Sequence, residues 1–236
     1  MRVALKIAYN GTHFFGSQVQ KETDKTILGE LETILEKLGM AQRVVASGRT
    51  DRGVHATGQI CHIVLPEFWS DVKKLQRVLN EMLPSSIYIR HIQRVSDDFH
   101  ARYSAKRRVY RYIIKKAPRN PFEVDFITFV TEFDEKVIQE KMALFVGEHD
   151  FEYFMKRGSD TKSPIREIYK AFCYEYKGYH ILYFEANGFL RSQIRMMVGS
   201  LLHLSKEQIQ AKLAKREEHK VKPAPPNGLY LARILY

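Results

Sequence analysis

The 236-residue sequence predicts an α+β fold of two ferredoxin-like (RRM-like) halves, spanning 1–98 and 99–236. Two observations carry that expectation. Strand and helix patterns in the first half run in the order βαββαβ, for which a split sheet with helices on one face is the economical packing solution. The second half repeats the theme less cleanly, and no repeat is visible at the level of residues.

The first segment, Met1 to Asn10, sets Val3, Leu5 and Ile7 against Lys6, a strand alternation without the continuous apolar core of a signal peptide. Asn10-Gly11 makes a turn. Between Thr26 and Gly39 the residues Ile27, Leu28, Leu31, Ile34, Leu35 and Leu38 follow the amphipathic helical template, and Gly39 ends it. Strands are predicted over Arg43 to Ala46 and Thr57 to Leu65, a helix capped by Ser70 over Ser70 to Met82, and a strand over Ile87 to Val95. The second half predicts a strand over Arg108 to Lys116 and a helix over Glu135 to Phe145. A hairpin follows, Ile165 to Tyr176 and Tyr179 to Ala186, turned at Lys177-Gly178. A helix over Leu190 to Leu204 comes next. A loop from Lys212 to Gly228, rich in proline, leads to a closing strand over Leu229 to Leu235.

Hydrophobic residues at 44% and aromatics at 12% are sufficient for a core, which excludes disorder. Charged residues interrupt every apolar stretch, so no membrane span is expected. The 38 Lys and Arg against 27 Asp and Glu give a formal charge of +11, which favours a polyanionic partner such as nucleic acid or an anionic surface. Cys61 and Cys173 lie far apart with no CxxC spacing, supporting neither a disulfide framework nor a cysteine zinc site. A reducing, cytoplasmic setting is expected.

The segment from Ser47 to Gln59 concentrates three glycines and polar side chains between two strands. Loops carried on a rigid sheet are where sites are built. Asp51 lies between Arg49 and Arg52, which suits a nucleophile and equally an ordinary salt-bridged turn residue. His55, four residues on, invites a hydrolase or metal reading with Asp51. No third ligand has matching spacing, so a structural hydrogen-bonding role is the stronger expectation. The stretch from Phe99 to Lys116 holds seven Lys or Arg, four aromatics and no acid. Cations that neutralise phosphates, interleaved with rings that stack on bases, suit an unpaired RNA or DNA segment; the alternative is a solvated edge strand. On a strand Tyr110 and Tyr112 share one face and Arg111 takes the other. In the helix from Leu190, Met196 and Met197 read as packing residues, Arg191 and Arg195 present cations on a common face, and Gly199 predicts close backbone packing.

Together these segments resemble the TruA family of tRNA pseudouridine synthases. The loop Gly48-Arg49-Thr50-Asp51-Arg52-Gly53-Val54-His55-Ala56 resembles that family's catalytic motif. Further matches follow in the family's order: Leu79-Asn80 with Leu83-Pro84, Asp98-Phe99-His100-Ala101-Arg102, Tyr110-Arg111-Tyr112, Arg195 in Ile-Arg-Met-Met-Val-Gly-Ser-Leu, and Gly228-Leu229-Tyr230-Leu231. Many members carry an aromatic residue at Ser17 and a small one at Arg52.

The resemblance implies two ferredoxin-like halves sharing a continuous, mainly antiparallel sheet, with helices on one face and a basic cleft on the other. It implies conversion of uridine to pseudouridine at nucleotides 38, 39 or 40 of the tRNA anticodon stem-loop, by a homodimer using no cofactor or metal. Asp51 matches the essential carboxylate and Arg195 the arginine that pairs with it. Tyr110 matches the tyrosine that stacks on the target uracil and is placed to assist proton removal from C5. Arg49 matches the arginine that helps unstack the target nucleotide, and Leu229 an apolar residue near the base. Two other readings stand beside this one: a noncatalytic RNA-binding module, and a metal-dependent hydrolase using Asp51 and His55.

Overall fold

A computed structural model of the chain describes residues 1–158 and 161–236. The chain divides into two compact units, Met1–Lys106 with Tyr230–Tyr236, and Arg107–Leu229. The division falls after Lys106 rather than near residue 98, and the last seven residues belong with the first unit.

In the first unit β1 (Arg2–Tyr9) precedes α1 (Ile27–Lys37), β2 (Val45–Ala46) and β3 (His55–Val64), and α2 (Val72–Met82) precedes β4 (Ile87–Arg94). This is the expected βαββαβ order. β1 pairs antiparallel with β3 on one side and β4 on the other. Its alternating Val3, Leu5 and Ile7 have no exposed surface, so the period-two pattern marks the face that is buried. Ile27, Leu28, Leu31, Ile34 and Leu35 of α1 are buried as the helical spacing required, and the Thr26 hydroxyl accepts the Gly29 amide at the start of the helix. For α2 the cap is Asp71, not Ser70. Ser70 ends a short 3-10 turn over Glu67–Trp69, and the Asp71 carboxylate accepts the amides of Lys73 and Lys74.

The far edge of β3 is shared by two short partners. β2 pairs antiparallel near its end, Val45 opposite His62, and the C-terminal strand, Leu229–Leu235, pairs parallel near its start, Tyr230 opposite His55.

The second unit opens with β5 (Arg107–Lys116), which is not an edge strand. β6 (Thr128–Val130) pairs with it in parallel on one side, and β9 (Tyr179–Ala186) antiparallel on the other. β8 (Ile165–Tyr176) continues from β9, and β7 (Gly147–Asp150) pairs with β8. The hairpin bounds and its turn at Lys177-Gly178 are those expected. Tyr110, Tyr112, Ile114, Leu182 and Phe184 are buried on one face, while Arg111 is exposed. α3 (Glu135–Ala143) packs on β8, and α4 (Gln193–His203) packs on α3.

α4 begins three residues later than its apolar pattern suggested. Ser192 takes a left-handed conformation, φ 60°, and the Gln193 side chain accepts the Leu190 amide at 2.8 Å. Arg191 therefore precedes the helix and shares no helical face with Arg195. Gly199 is a close approach, as expected: a Cβ there would stand 2.3 Å from the Lys222 carbonyl oxygen. α5 (Lys206–Leu213) was not legible in the polar sequence that forms it. A capping box joins Ser205 to Gln208 at its start. The C-terminal strand, Leu229–Leu235, is β10.

His62 on β3 ties the strand to the turn that follows β4, its Nδ1 accepting the Ala101 amide at 3.1 Å. Burial, then the neighbouring His100 and Arg2, push its pKa below the usual histidine value. The unfolded chain then binds the proton more readily than the folded one. The stabilisation is present above about pH 6.5 and is lost as pH falls from there through the lowered folded-state value. On acidification from about pH 7.5 to 5.5, the melting temperature of the parent should fall further than that of His62→Asn, which keeps an acceptor that does not titrate. An equal fall in both would refute the assignment.

Candidate active site

The loop between β2 and β3 is held from several sides by segments of its own unit. At its entry the Ser47 hydroxyl donates to the Gln59 side-chain oxygen, and the Gln59 amide group donates to the Gly48 carbonyl at 2.7 Å. Ser47 and Gln59 are both buried, so each satisfies a polar group that would otherwise be costly. At the centre, Thr50 donates its amide to the Ser17 hydroxyl at 2.9 Å and accepts the Ser17 amide on its carbonyl at 3.1 Å. The Thr50 hydroxyl pairs with the Tyr9 hydroxyl at 2.9 Å. The Val54 amide donates to the Asp51 carbonyl at 3.1 Å, turning the chain around Asp51.

The segment after β1 therefore clamps the loop. A Cβ on Gly11 would lie 2.0 Å from the Val54 carbonyl oxygen, an approach only glycine permits. The Arg52 guanidinium lies 4.4 Å over the Phe15 ring, which gives that arginine a partner within the unit. Asp51 is half-buried and Arg49 is exposed, so both side chains keep solvent-accessible surface.

His55 has the structural role its spacing favoured. It is 1% exposed, its Nδ1 accepts the Gly11 amide at 3.0 Å, and its ring stacks on Tyr230 at 4.7 Å. One ring nitrogen and one ring face are thus used in holding the loop to β10.

Tyr110, Arg195 and Leu229 lie in the second unit. Tyr110 is 8% exposed with its ring edge-on to Phe189 at 5.3 Å. Tyr112 is fully buried and its hydroxyl is occupied by Thr128 at 2.7 Å and the Pro225 carbonyl at 2.8 Å, so it is a framework residue. Burial raises its pKa well above that of a free phenol. Arg195 donates Nε to the Ala224 carbonyl at 2.7 Å, and Ala224 donates its amide to the Arg195 carbonyl at 2.8 Å. The first bond anchors the guanidinium at Nε, and the second holds the Arg195 backbone against Ala224. Leu229 is buried at the start of β10.

The basic run is less available than its composition suggested. Arg107 pairs with Glu185 at 2.8 Å, Arg108 donates to the Asn187 carbonyl at 2.8 Å, and Lys115 pairs with Glu123 at 2.9 Å. Three of its cations are therefore engaged within the unit. Ser17, Tyr9 and Gln59 are the positioning residues that sequence reasoning missed. The departure at Ser17 was the one visible signal, and its side chain turns inward to the loop.

The loop thus offers a half-buried carboxylate on a backbone held from several sides, in a basic α+β chain. The chain belongs to the tRNA pseudouridine synthase family, a family of isomerases, whose sequence profile matches residues 6–104 and 142–236. A tRNA pseudouridine synthase A from Wolinella succinogenes is 40% identical over 235 residues, covering 98% of this chain and 92% of its own length. One from Campylobacter jejuni is 36% identical with both chains covered completely. One from a Geobacillus species is 37% identical, covering 100% of this chain and 98% of its own.

Ser17→Ala should leave the buried Thr50 amide without its acceptor. That costs about 1–3 kcal/mol and lowers the melting temperature by several degrees. Thermal unfolding checks the stability effect, and unchanged stability would show that the loop does not depend on this bond.

Proposed function

We propose that this chain isomerises uridine to pseudouridine in the anticodon stem-loop of tRNA, at nucleotides 38, 39 or 40, with Asp51 as the catalytic carboxylate and no cofactor. The observation that carries the reading is the loop itself. It matches the family motif and holds a half-buried carboxylate between the fixed peptide of Thr50 and the turn to Val54. A carboxylate that must meet a reacting sugar or base within a few tenths of an ångström benefits from such a backbone, because misplacement is expensive in rate.

The reaction breaks the C1′–N1 bond, rotates the uracil and joins C5 to C1′. The C5 hydrogen leaves as a proton and N1 regains one, so substrate and product are isomers and no redox partner is consumed. Asp51 acts by attack at C1′, by addition to the base, or by removal of a sugar proton; each role needs the carboxylate ionised. Tyr110, 8% exposed and edge-on to Phe189, is assigned the stacking role on the target uracil through its match to the family's tyrosine. A phenol with a free pKa of about 10 is a weak base at neutral pH, so stacking is the role assigned to it. Arg49, exposed on the loop, offsets part of the cost of unstacking the nucleotide, about a few kcal/mol. Arg195, anchored through Nε to the Ala224 carbonyl, supplies a cation, and Leu229 an apolar wall. The protein acts as a homodimer in the cytoplasm, its charge of +11 per chain drawing in a polyanionic substrate. No helix among the described residues is long and apolar enough to cross a membrane.

Tritium release from tRNA carrying 5-tritiated uridine tests the reading, since forming the C5–C1′ bond expels the C5 hydrogen. The parent should release tritium. Asp51→Asn should release it about 10³-fold more slowly or not at all while keeping its affinity for tRNA. No release by the parent, with tRNA still bound, would make the protein a binding module instead.

A further inference from the structure

Between α5 and β10 the chain runs as a strap over residues 214–225, and its course is unusual for a segment without glycine. Lys215 and His219 both take left-handed backbone conformations, φ 56° and 40°, which residues other than glycine seldom adopt. Backbone strain of this kind persists only where the surroundings over-determine it. Several contacts within the unit do so. The Lys215 ammonium pairs with Asp150 at 3.1 Å and Glu152 at 2.6 Å, and both Glu218 oxygens accept from Arg157, at 2.8 and 2.7 Å. These ties lie toward the surface, where an ion pair holds weakly.

The tie beneath the strap is different. α5 buries one face, and Lys212 lies on it three residues after Ile209, 1% exposed. Its ammonium donates to the His219 carbonyl at 3.2 Å and stands 4.8 Å from the centroid of the Phe154 ring. Burial, opposed by the nearby Glu218, pushes its pKa below the usual lysine value. An apolar side chain of the same length would fill this place beside Phe154 without that desolvation cost. What the ammonium adds is a charged hydrogen bond to the carbonyl of a residue held in a strained conformation.

From His219 the strap runs on to Ala224, whose carbonyl takes Nε of Arg195 at 2.7 Å. It has little room to move on the way. The Lys222 carbonyl packs so closely on Gly199 of α4 that a Cβ there would stand 2.3 Å from its oxygen, and Pro223 has a restricted φ. Beyond Ala224, the Pro225 carbonyl accepts the Tyr112 hydroxyl at 2.8 Å. We infer that this strap, pinned from beneath by Lys212 and against α4 at Gly199, positions the Arg195 guanidinium for the reaction. Lys212 and Gly199 are then positioning residues that act through Arg195 rather than on the RNA. The inference rests on the role that the proposed function gives Arg195.

The test follows tritium release from 5-tritiated tRNA by the full chain and its variants, with kcat and KM read separately. Lys212→Met keeps the buried stem and removes the donor, and Gly199→Ala drives the Lys222 carbonyl away from α4. Each should lower kcat by about tenfold or more, because a displacement of about 1 Å is expensive in rate, and leave KM within about twofold. Arg195→Lys keeps the cation and gives up the Nε bond, so adding either strap variant to it should cost less than about twofold more. A residue with a merely structural role would lower the melting temperature and multiply its loss in full with that of Arg195→Lys. Nitrogen-15 NMR of the Arg195 Nε–H reads the same bond without the reaction, and its exchange with solvent should quicken about tenfold or more in both variants. Either variant decides the question if the other fails to fold. Parent-like kcat in the folded variants, or losses that multiply in full with Arg195→Lys, overturns the inference. No release by the parent would sink the Asp51 reading, and the inference would then be judged by the Nε–H exchange, quickened if the strap positions Arg195 and unchanged if it does not. Release by the parent, with kcat and exchange unchanged in the variants, would sink this inference alone.

Discussion

Ser17 and Thr50 exchange two hydrogen bonds across a buried contact, the amide of each reaching an oxygen of the other. Neither group has water to fall back on, because Ser17 is 1% exposed and Thr50 7%. An unmet donor there is costly, so the segment after β1 and the loop before β3 order each other. Thr50 adjoins Asp51, and Arg49 lies on the other side of the same residue. The backbone position of the charged residues is thus inherited from neutral ones. Tyr9, Gln59 and His55 add to the same frame through bonds to Thr50, Gly48 and Gly11. Polar networks that are fully met rigidify a site, and this one does so on both sides of the carboxylate.

Much of the fold was legible because it rests on period. Val3, Leu5 and Ile7 alternate and are buried together, and the hairpin from Ile165 to Ala186 declared both its strands and its turn. What escaped was short or decided by tertiary contacts. β6 and β7 span three and four residues, too few to display a period. α5 is mostly polar and is marked chiefly by its capping box. The start of α4 is set by the left-handed Ser192 and the side chain of Gln193, which apolar spacing cannot report. Around the candidate site the division is similar. Asp51, Arg49 and Tyr110 stood out by motif, and His55 by its lack of metal-ligand spacing. Ser17 carried a signal only as a departure, and nothing in its type says that its hydroxyl turns inward.

The second unit shows how one strand serves two environments. Moving along β5 by a single residue, from Tyr110 to Arg111 to Tyr112, crosses from the buried face to the open one and back. A composition count over that stretch treats its rings and cations as one population. The pleat sorts them, sending Tyr112 to a hydroxyl and a carbonyl in the interior while Arg111 meets solvent. Tyr112, which composition counts toward RNA binding, is therefore scaffold.

The return of the last seven residues to the first unit has a consequence for synthesis. Residues 107–229 must be made before β10 can reach β3, on the order of ten seconds at ordinary ribosomal rates. During that interval the start of β3 lacks its parallel partner and His55 lacks the ring of Tyr230 that covers it. An unpaired strand edge is sticky, and here it borders the loop bearing Asp51. The nascent chain thus carries a period of vulnerability beside its carboxylate that ends only when the translation of β10 is complete.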